Sequence, residues 1–221
     1  MQHLIKQEQF ELEVLDKLNS KKFLNNLVLS GGTMLRLCFG LDRYSVDLDF
    51  WVVKDVEFDN LYKDLKDYLT QYYKINDSAN KHYTILFELK SFDYPRSLKI
   101  EIRKEQKKIK VEQGIVFSEH SNIQIMVKHV SLEDMMKAKI AAFLNRNTIR
   151  DVYDLNFLFK RGITLEADNE TFSALLDGIN SLTKEDYMVK LGSVLEEAKR
   201  KFYKENNFKT LKMYLKEKLT S

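Results

Sequence analysis

The sequence predicts an α+β fold, in which a β-sheet with flanking helices is followed by a helical lobe. Several segments before residue 130 alternate apolar and polar residues as strands do, whereas the end of the chain keeps the apolar spacing of helices. We therefore predict a sheet-containing core at residues 1–130 and a helical lobe at residues 131–221. A chain of 221 residues, 44% of them hydrophobic, can bury a sizeable core in this arrangement.

Charge and cysteine content narrow the class of protein. The net charge of +3 is too small to indicate nucleic-acid binding by itself. The single cysteine, Cys38, excludes an intrachain disulfide, and its apolar neighbours favour a small core residue over a nucleophile. No apolar run approaches the roughly 20 residues of a membrane helix, and no signal peptide is recognisable. We expect a cytoplasmic protein without a membrane partner.

Residues 5–18 form the first predicted element, an amphipathic helix that we expect to pack against the sheet. An apolar strand at residues 27–29 then leads into Ser-Gly-Gly-Thr at residues 30–33, and a helix-compatible segment follows. Glycine lets a backbone approach a ligand closely, and amides at the start of a helix point at phosphate. This order favours a phosphate-binding turn, although Gly-Gly alone also fits an ordinary turn.

Two aspartates mark the next strand, residues 46–53. Asp47 and Asp49 share one face of this strand, and apolar side chains occupy the other. Two carboxylates on one face repel each other unless a cation lies between them, and Mg²⁺ prefers carboxylate and phosphate oxygens. The pattern predicts a metal site, while Asp-x-Asp alone also fits a solvated strand face. A second amphipathic helix is predicted at residues 55–73.

Residues 83–89 and 98–103 alternate again and predict an antiparallel pair of strands around a turn that contains Pro95. Glu101 lies on the polar side of the second strand. Lysine and arginine recur from residue 99 to residue 110, Lys107 among them, and suggest a basic hairpin. Such a hairpin could hold RNA or nucleotide phosphate, or it could protect a sheet edge.

Helices dominate the rest of the chain after a short strand at residues 123–127. Ser131 is the predicted N-cap of a helix that runs to Arg146, and a second helix covers residues 150–159. Three further helices are predicted at residues 169–180, 184–203 and 206–219. The basic side chains of the last two helices could bind RNA or form a solvated face balanced by glutamates, and the sequence leaves both interpretations open.

Two groups of residues together resemble the AbiEii/AbiGii toxin family. The first is Ser-Gly-Gly-Thr, a helix, and Arg-x-Ser-x-Asp-x-Asp-Phe between residues 30 and 50; the second is Lys139 with Arg146, followed by Arg-Asp-x-x-Asp-Leu at residues 150–155. This family lies in the nucleotidyltransferase superfamily that includes DNA polymerase beta. The resemblance implies the mixed sheet of that superfamily. It also implies Mg²⁺-dependent transfer of a nucleotide from NTP to an acceptor hydroxyl, with Mn²⁺ as an alternative ion.

The resemblance also implies roles for individual residues. The implied catalytic residues are Asp47, Asp49, Lys139 and Asp151. The implied nucleotide-binding residues are Ser30, Gly31, Gly32, Thr33, Arg43, Ser45 and Arg146. The implied metal ligands are Asp47, Asp49 and, from a neighbouring strand, Glu101. For Glu101, an ordinary exposed glutamate paired with Lys99 or Arg103 is the alternative, and for Arg150, Asp151 and Asp154 it is a surface salt-bridge set.

Substrate and partners follow from the same resemblance. It implies a toxin of a bacterial toxin–antitoxin or phage-defence pair, with a cognate antitoxin protein, NTP as substrate and the 3′ end of tRNA as the first acceptor hypothesis. The helical lobe would complete the active site through residues 139–154. Two alternatives remain: transfer to a small molecule or a protein, and a module that binds nucleotide without turnover.

Overall fold

The computed structural model describes residues 1–52, 56–105 and 108–220. The chain divides into two compact units, Met1–Ser131 and Leu132–Ser221. The first unit contains a seven-stranded sheet with helices, and the second unit is helical in its described residues. The α+β class predicted from the sequence is confirmed. None of the helices in the described ranges is long and apolar enough to span a membrane.

Three α-helices, one short 3₁₀ helix (Phe23–Asn25) and seven strands form the first unit over its described residues. In chain order they are α1 (Gln2–Ser20), β1 (Leu27–Ser30), α2 (Gly31–Phe39), β2 (Asp47–Val52), α3 (Phe58–Leu69), β3 (Lys74–Asn80), β4 (Thr84–Lys90), β5 (Leu98–Arg103), β6 (Val111–Val116) and β7 (Ile125–Val130). The predicted strand at 46–53 and helix at 55–73 correspond to β2 and α3. Val53 and Asp55, which those predictions included, lie outside the described residues.

The sheet is mixed, with strand order β3-β4-β5-β2-β1-β7-β6. Strand β2 runs parallel to β5 and β1 runs parallel to β7, whereas the other neighbours are antiparallel. The predicted antiparallel pair is β4 and β5. The register of β2 and β5 sets Asp49 opposite Glu101. Because side chains alternate along strands, these two residues lie on the same face of the sheet.

The sequence analysis missed the two outermost strands, β3 and β6. Both are edge strands with polar, partly exposed side chains, so neither shows the apolar alternation by which a half-buried strand is recognised. The predicted basic hairpin is also wrong. Strand β5 pairs with β2 and β4, and β6 pairs with β7, so the chain after Arg103 crosses to the far edge of the sheet. Lys107, part of that prediction, lies outside the described residues.

One face of the central strands is apolar and buried, and the burial of this face stabilises the sheet. Leu48 and Phe50 of β2 and Ile100 of β5 are at most 1% exposed. Helix α1 adds Phe10, which is fully buried and stacks on Tyr94 with ring centroids 4.5 Å apart. Burial of such side chains is the main favourable contribution to folding. The acids Asp47 and Asp49 lie on the opposite face of β2.

Helices and one π-helical turn make up the second unit over its described residues. They are α4 (Leu132–Arg146), α5 (Ile149–Lys160), α6 (Asn169–Asn180), the π-helical segment Asp186–Leu191, α7 (Glu197–Asn206) and α8 (Lys209–Thr220). Helix α4 begins directly after Ser131, the predicted N-cap, and α6 has the predicted bounds.

The single helix predicted at residues 184–203 is wrong, because the chain leaves helical geometry between the π-helical segment and α7. Val194 and Leu195 lie in this break and are each only 2% exposed, so the interruption buries two apolar side chains. A second break separates α7 from α8, where Asn207 and Phe208 adopt positive φ angles of 41° and 52°. Such conformations end helices, and they shift the start of the last helix to Lys209.

Candidate active site

Gly31 and Gly32 lie where the sequence predicts a phosphate-binding turn, at the junction of β1 and α2. Gly31 has a φ of +75°, and a Cβ atom there would overlap with Oδ2 of Asp49. A Cβ on Gly32 would lie 2.6 Å from Nη2 of Arg43 and 2.9 Å from Oγ of Ser45. The fold therefore brings the Gly-Gly turn, Arg43, Ser45 and Asp49 into one site, and a side chain at either glycine would force a neighbouring side chain to shift.

The hydroxyl groups of Ser30 and Thr33 donate hydrogen bonds to the backbone of β2. Ser30 Oγ donates a hydrogen bond to the carbonyl oxygen of Asp49 at 3.3 Å, and Thr33 Oγ1 donates to the carbonyl oxygen of Asp47 at 2.6 Å. Ser30 and Thr33 are both buried. Their side chains fasten the turn to β2, so the groups suited to bind phosphate are the backbone amides of the first turn of α2.

Arg43 places a positive charge beside this turn. Its side chain is buried, its Nη1 donates to the carbonyl oxygen of Tyr44 at 3.0 Å, and its guanidinium lies against Gly32. A guanidinium and the amino end of a helix both favour an anion. The combination at the start of α2 is therefore suited to phosphate, and the implied nucleotide-binding role of Arg43 stays a prediction.

Three carboxylates lie on the polar face of β2 and β5. Asp47 and Asp49 are half-buried, and Glu101 is half-buried opposite Asp49 in register. Glu101 makes no salt bridge with Lys99 or Arg103 in the described part of the chain. The placement on a neighbouring strand agrees with the implied role of Glu101, although the role itself stays a prediction.

The acids of this face suit an open metal site rather than a closed one. Within residues 1–52, 56–105 and 108–220, no three His, Cys, Asp or Glu side chains are gathered closely enough to hold a metal ion. Mg²⁺, however, commonly binds one or two carboxylates together with substrate phosphates and water. Asp47 and Asp49, beside a turn suited to phosphate, fit such a site by residue type and shared face. We therefore take this pair as the candidate ligands, with Glu101 as the third candidate.

Lys139 lies in a buried ionic cluster in the second unit. Its Nζ is 2.6 Å from Oδ2 of Asp154 and 3.4 Å from Oδ1 of Asp151. Lys139 is 6% exposed, and both aspartates are fully buried. The alternative interpretation of Asp151 and Asp154 as members of a surface salt-bridge set is therefore wrong. Arg150 reaches a different segment, where it donates to the carbonyl oxygen of Lys190 and to Oγ of Ser193.

Asp151 receives hydrogen bonds on both carboxylate oxygens. Arg146 Nε and Nη2 donate to it at 2.7 Å each, and Thr148 Oγ1 also donates. Burial acts to raise the pKa of Asp151, but the hydrogen bonds from Arg146, the charge of Lys139 and the bond from Thr148 together lower it. A carboxylate with a lowered pKa and this many donors is suited to orient cations and is a poor general base.

The sequence analysis missed two residues, one that bonds to Asp151 and one that lies near Asp47. Thr148 precedes α5 and binds the Asp151 side chain; its signal is the Thr-x-x-Asp spacing. Glu11 on α1 is fully buried, and neither carboxylate oxygen has a hydrogen-bond partner among the described residues. Burial raises its pKa well above the usual value, repulsion from Glu8 and Asp47 adds to this, and Arg36 opposes it. Glu11 is therefore a buried carboxyl group close enough to Asp47 to feel its charge, a placement that periodicity alone does not reveal.

Solved structures share this fold. A nucleotidyltransferase candidate from Helicobacter pylori superposes with a TM-score of 0.59 at 22% identity, covering 96% of each chain. The JHP933 protein of Helicobacter pylori superposes with a TM-score of 0.53 at 21% identity, covering 93% of this chain and 94% of that one. At these identities the likeness concerns the fold. No match was found among curated proteins.

The match to a family model covers far more than the glycine turn and the acids. The model of the nucleotidyl transferase AbiEii toxin, of type IV toxin–antitoxin systems, matches residues 13–212. This range contains both the Gly31–Asp49 site and the cluster of Lys139 and Asp151.

Proposed function

The chain belongs to the AbiEii family of nucleotidyltransferase toxins of type IV toxin–antitoxin systems, and we propose that it transfers an NMP from NTP to an acceptor hydroxyl with the help of Mg²⁺. The observation that carries this proposal is the convergence of Gly31, Gly32, Arg43 and Asp49 on one site. Phosphate-binding amides and a cation beside a pair of acids are what a triphosphate–metal complex requires.

We assign the following roles in nucleotide transfer to residues of the first unit. The amides after Ser30 and the guanidinium of Arg43 bind and orient the triphosphate. Asp47 and Asp49, with Glu101 as a third candidate, would hold Mg²⁺, which lowers the barrier by stabilising charge on the phosphoryl oxygens. The acceptor hydroxyl gives up its proton to solvent water as its oxygen attacks the α-phosphorus, the bond from the α-phosphorus to the bridging oxygen of the β-phosphate breaks, and pyrophosphate leaves with the electron pair.

Lys139 and Arg146 are the proposed cations of the second unit that offset phosphate charge. Arg146 supports this role best, because its side chain is 55% exposed while Asp151 fixes its guanidinium through two hydrogen bonds. Lys139 is held between Asp151 and Asp154. We propose that Asp151 positions these cations, which agrees with its lowered pKa better than the role of a base for the acceptor hydroxyl.

The acceptor and the biological partner are further parts of the proposal. We take the 3′ end of tRNA as the acceptor, because the resemblance of the site to the family implies it, and phage defence as the setting. Family membership supports a cognate antitoxin as partner. Transfer to a small molecule or a protein, and nucleotide binding without turnover, are the alternatives that an experiment must separate.

Label transfer tests the proposal. The protein is incubated with Mg²⁺, total cellular RNA and each α-labelled NTP in turn, beside the Asp47→Ala/Asp49→Ala variant. Label in tRNA that depends on both aspartates would support the whole proposal. Label only in protein or small molecules would refute the RNA acceptor, and nucleotide binding without any transfer would refute the enzyme reaction.

A further inference from the structure

Helix α7 buries none of its residues, yet it carries an exposed aromatic ring. Phe202 is 50% exposed. Tyr203 attaches the helix to α5: its hydroxyl accepts hydrogen bonds from Asn156 Nδ2 at 3.3 Å and from Lys160 Nζ at 3.5 Å. The ring of Tyr203 also packs against the buried ring of Tyr153, with centroids 4.7 Å apart. The exposed ring of Phe202, by contrast, adds little to folding, because only its burial would be favourable.

Cations lie directly against the aromatic rings of this surface. Lys160 Nζ is 5.8 Å from the ring centroid of Phe202 and 5.4 Å from that of Tyr203. Next to Lys160 in the chain, the guanidinium of Arg161 is 4.7 Å from the ring centroid of Phe157. At the carboxyl end of α5, the neighbouring residues Lys160 and Arg161 therefore each make a cation–π contact.

Helix α7 carries more basic than acidic side chains. Lys199 and Glu205 are each three residues from Phe202, so a cation and an acid flank the ring along the helix. The ten residues of α7 include four basic and two acidic side chains, and the Phe202 ring lies against Lys160 of α5. The region around Phe202 is thus positive on balance, although the protein as a whole carries a net charge of only +3.

We propose that the surface formed by Phe157, Lys160, Arg161, Lys199 and Phe202, here named the α5–α7 surface, binds the unpaired end of an RNA. Aromatic rings stack on bases without regard to sequence, and interleaved cations bind the backbone phosphates. The combination of exposed ring and cations favours RNA over a protein partner, since an acidic peptide would use the cations alone. The proposal rests on the RNA acceptor of the proposed function, for which this surface supplies residues that grip the acceptor.

Binding of fluorescent RNA to transfer-inactive Asp49→Ala protein tests this surface. The probes are one RNA hairpin with about four unpaired nucleotides at its 3′ end and the same hairpin with a blunt end. Phe202→Ala should weaken binding of the first probe about fivefold or more and leave binding of the blunt probe unchanged. Phe202→Tyr should retain affinity, since tyrosine also stacks. Met213→Ala is the matched control, because Met213 is 61% exposed on α8 and should bind as the parent does.

The salt dependence supplies a second measurement. Lys160→Gln should reduce the slope of log affinity against log salt by about 0.7, the value for one phosphate contact on a single strand. Unchanged binding by Phe202→Ala, equal loss for both probes, or competition by a poly-glutamate peptide as strong as that by RNA would overturn the proposal. If RNA binding depends on Phe202 but RNA is not labelled in the transfer assay, the RNA acceptor is refuted and the proposed binding surface is retained. If RNA is labelled but its binding does not depend on Phe202, the RNA acceptor is retained and the binding surface is refuted.

Discussion

At the scale of single residues, the candidate active site depends on the absence of a side chain at two positions, Gly31 and Gly32. Gly31 allows the carboxylate of Asp49 to lie where a Cβ would be, and its φ of +75° is one that other residues adopt only with strain. Gly32 gives the same space to Arg43 and Ser45. The two glycines therefore set how closely the phosphate-binding turn approaches the acids.

Replacement of Gly31 by alanine should abolish nucleotide transfer, because the new methyl group displaces the carboxylate of Asp49. Gly162→Ala is a matched control: Gly162 has a φ of +82°, but a methyl group there would meet no neighbouring atom within 4 Å. Both variants should lose about 1–2 kcal/mol of unfolding free energy from backbone strain, as measured by urea denaturation. Only Gly31→Ala should lose transfer in the label assay; equal activity of the two variants would contradict the assigned role.

The pKa of Asp151 gives a prediction for acid stability. Burial acts to raise this pKa in the folded protein, but Arg146, Lys139 and Thr148 together hold it below its ordinary value. The stabilising contribution is therefore complete above the unfolded value of about 3.9. It is lost as the pH falls through the lowered folded pKa. Arg146→Met removes the hydrogen bonds that lower the pKa most.

Arg146→Met should therefore be less stable than the wild type at pH 7 and should lose less further stability on acidification below about pH 4. Urea denaturation at a series of pH values measures the difference. Arg96→Met, at an exposed position in the turn after β4, is the control and should follow the wild-type pH profile. A parallel profile for Arg146→Met would show that Arg146 does not hold the Asp151 carboxylate.

At the scale of elements, buried ion pairs connect helices α4 and α5. Asp154 and Asp151 on α5 are fully buried and pair with Lys139 on α4. Buried charges need partners, because the loss of hydration costs several kcal/mol per ion. The cluster therefore fixes how the two helices pack as well as where Arg146 is presented.

Lys139→Met should destabilise the protein by about 3–5 kcal/mol, because it leaves buried carboxylates with one cation fewer. Lys137→Met on the same helix is the control. The side chain of Lys137 is 69% exposed and its Nζ lies 3.3 Å from Asp134 Oδ1, so its removal should cost about 0–1 kcal/mol. Equal unfolding free energies for the two variants would mean that the cluster around Lys139 is not a buried ion-pair network.

At the scale of the whole molecule, the acids of β2 and the most deeply buried side chains of β2 and β5 lie on opposite faces of one sheet. Leu48, Phe50 and Ile100 face the buried side, while Asp47 and Asp49 face the other. Folding of this unit therefore does not require the ion that transfer is proposed to need. In proteins whose fold depends on a metal, binding of the ion supplies the folding free energy, whereas here the first unit buries apolar side chains of its own.

Chelation should separate activity from stability. An excess of EDTA should abolish nucleotide transfer, and Mg²⁺ should restore it, while the melting temperature in EDTA stays that of the untreated protein. Added Mg²⁺ with NTP should raise the melting temperature in the wild type through ligand binding and should not do so in Asp47→Ala/Asp49→Ala. Unfolding in EDTA would contradict the separation of core and site.

The sequence by itself determined the α+β class, the central strands, the first helices of the second unit and the residues of both motifs, because local periodicity and glycine placement specify these directly. Tertiary structure alone decided three matters. Edge strands β3 and β6 form because a neighbouring strand completes their hydrogen bonds, not because their side chains alternate. The break before α7 forms because Val194 and Leu195 are buried. Thr33 bonds to the backbone of Asp47, 14 residues away in the sequence, and the full burial of Asp151 and Glu11 shifts the pKa of each carboxyl group. Such contacts and burial are properties of the packed chain and cannot be read from local periodicity.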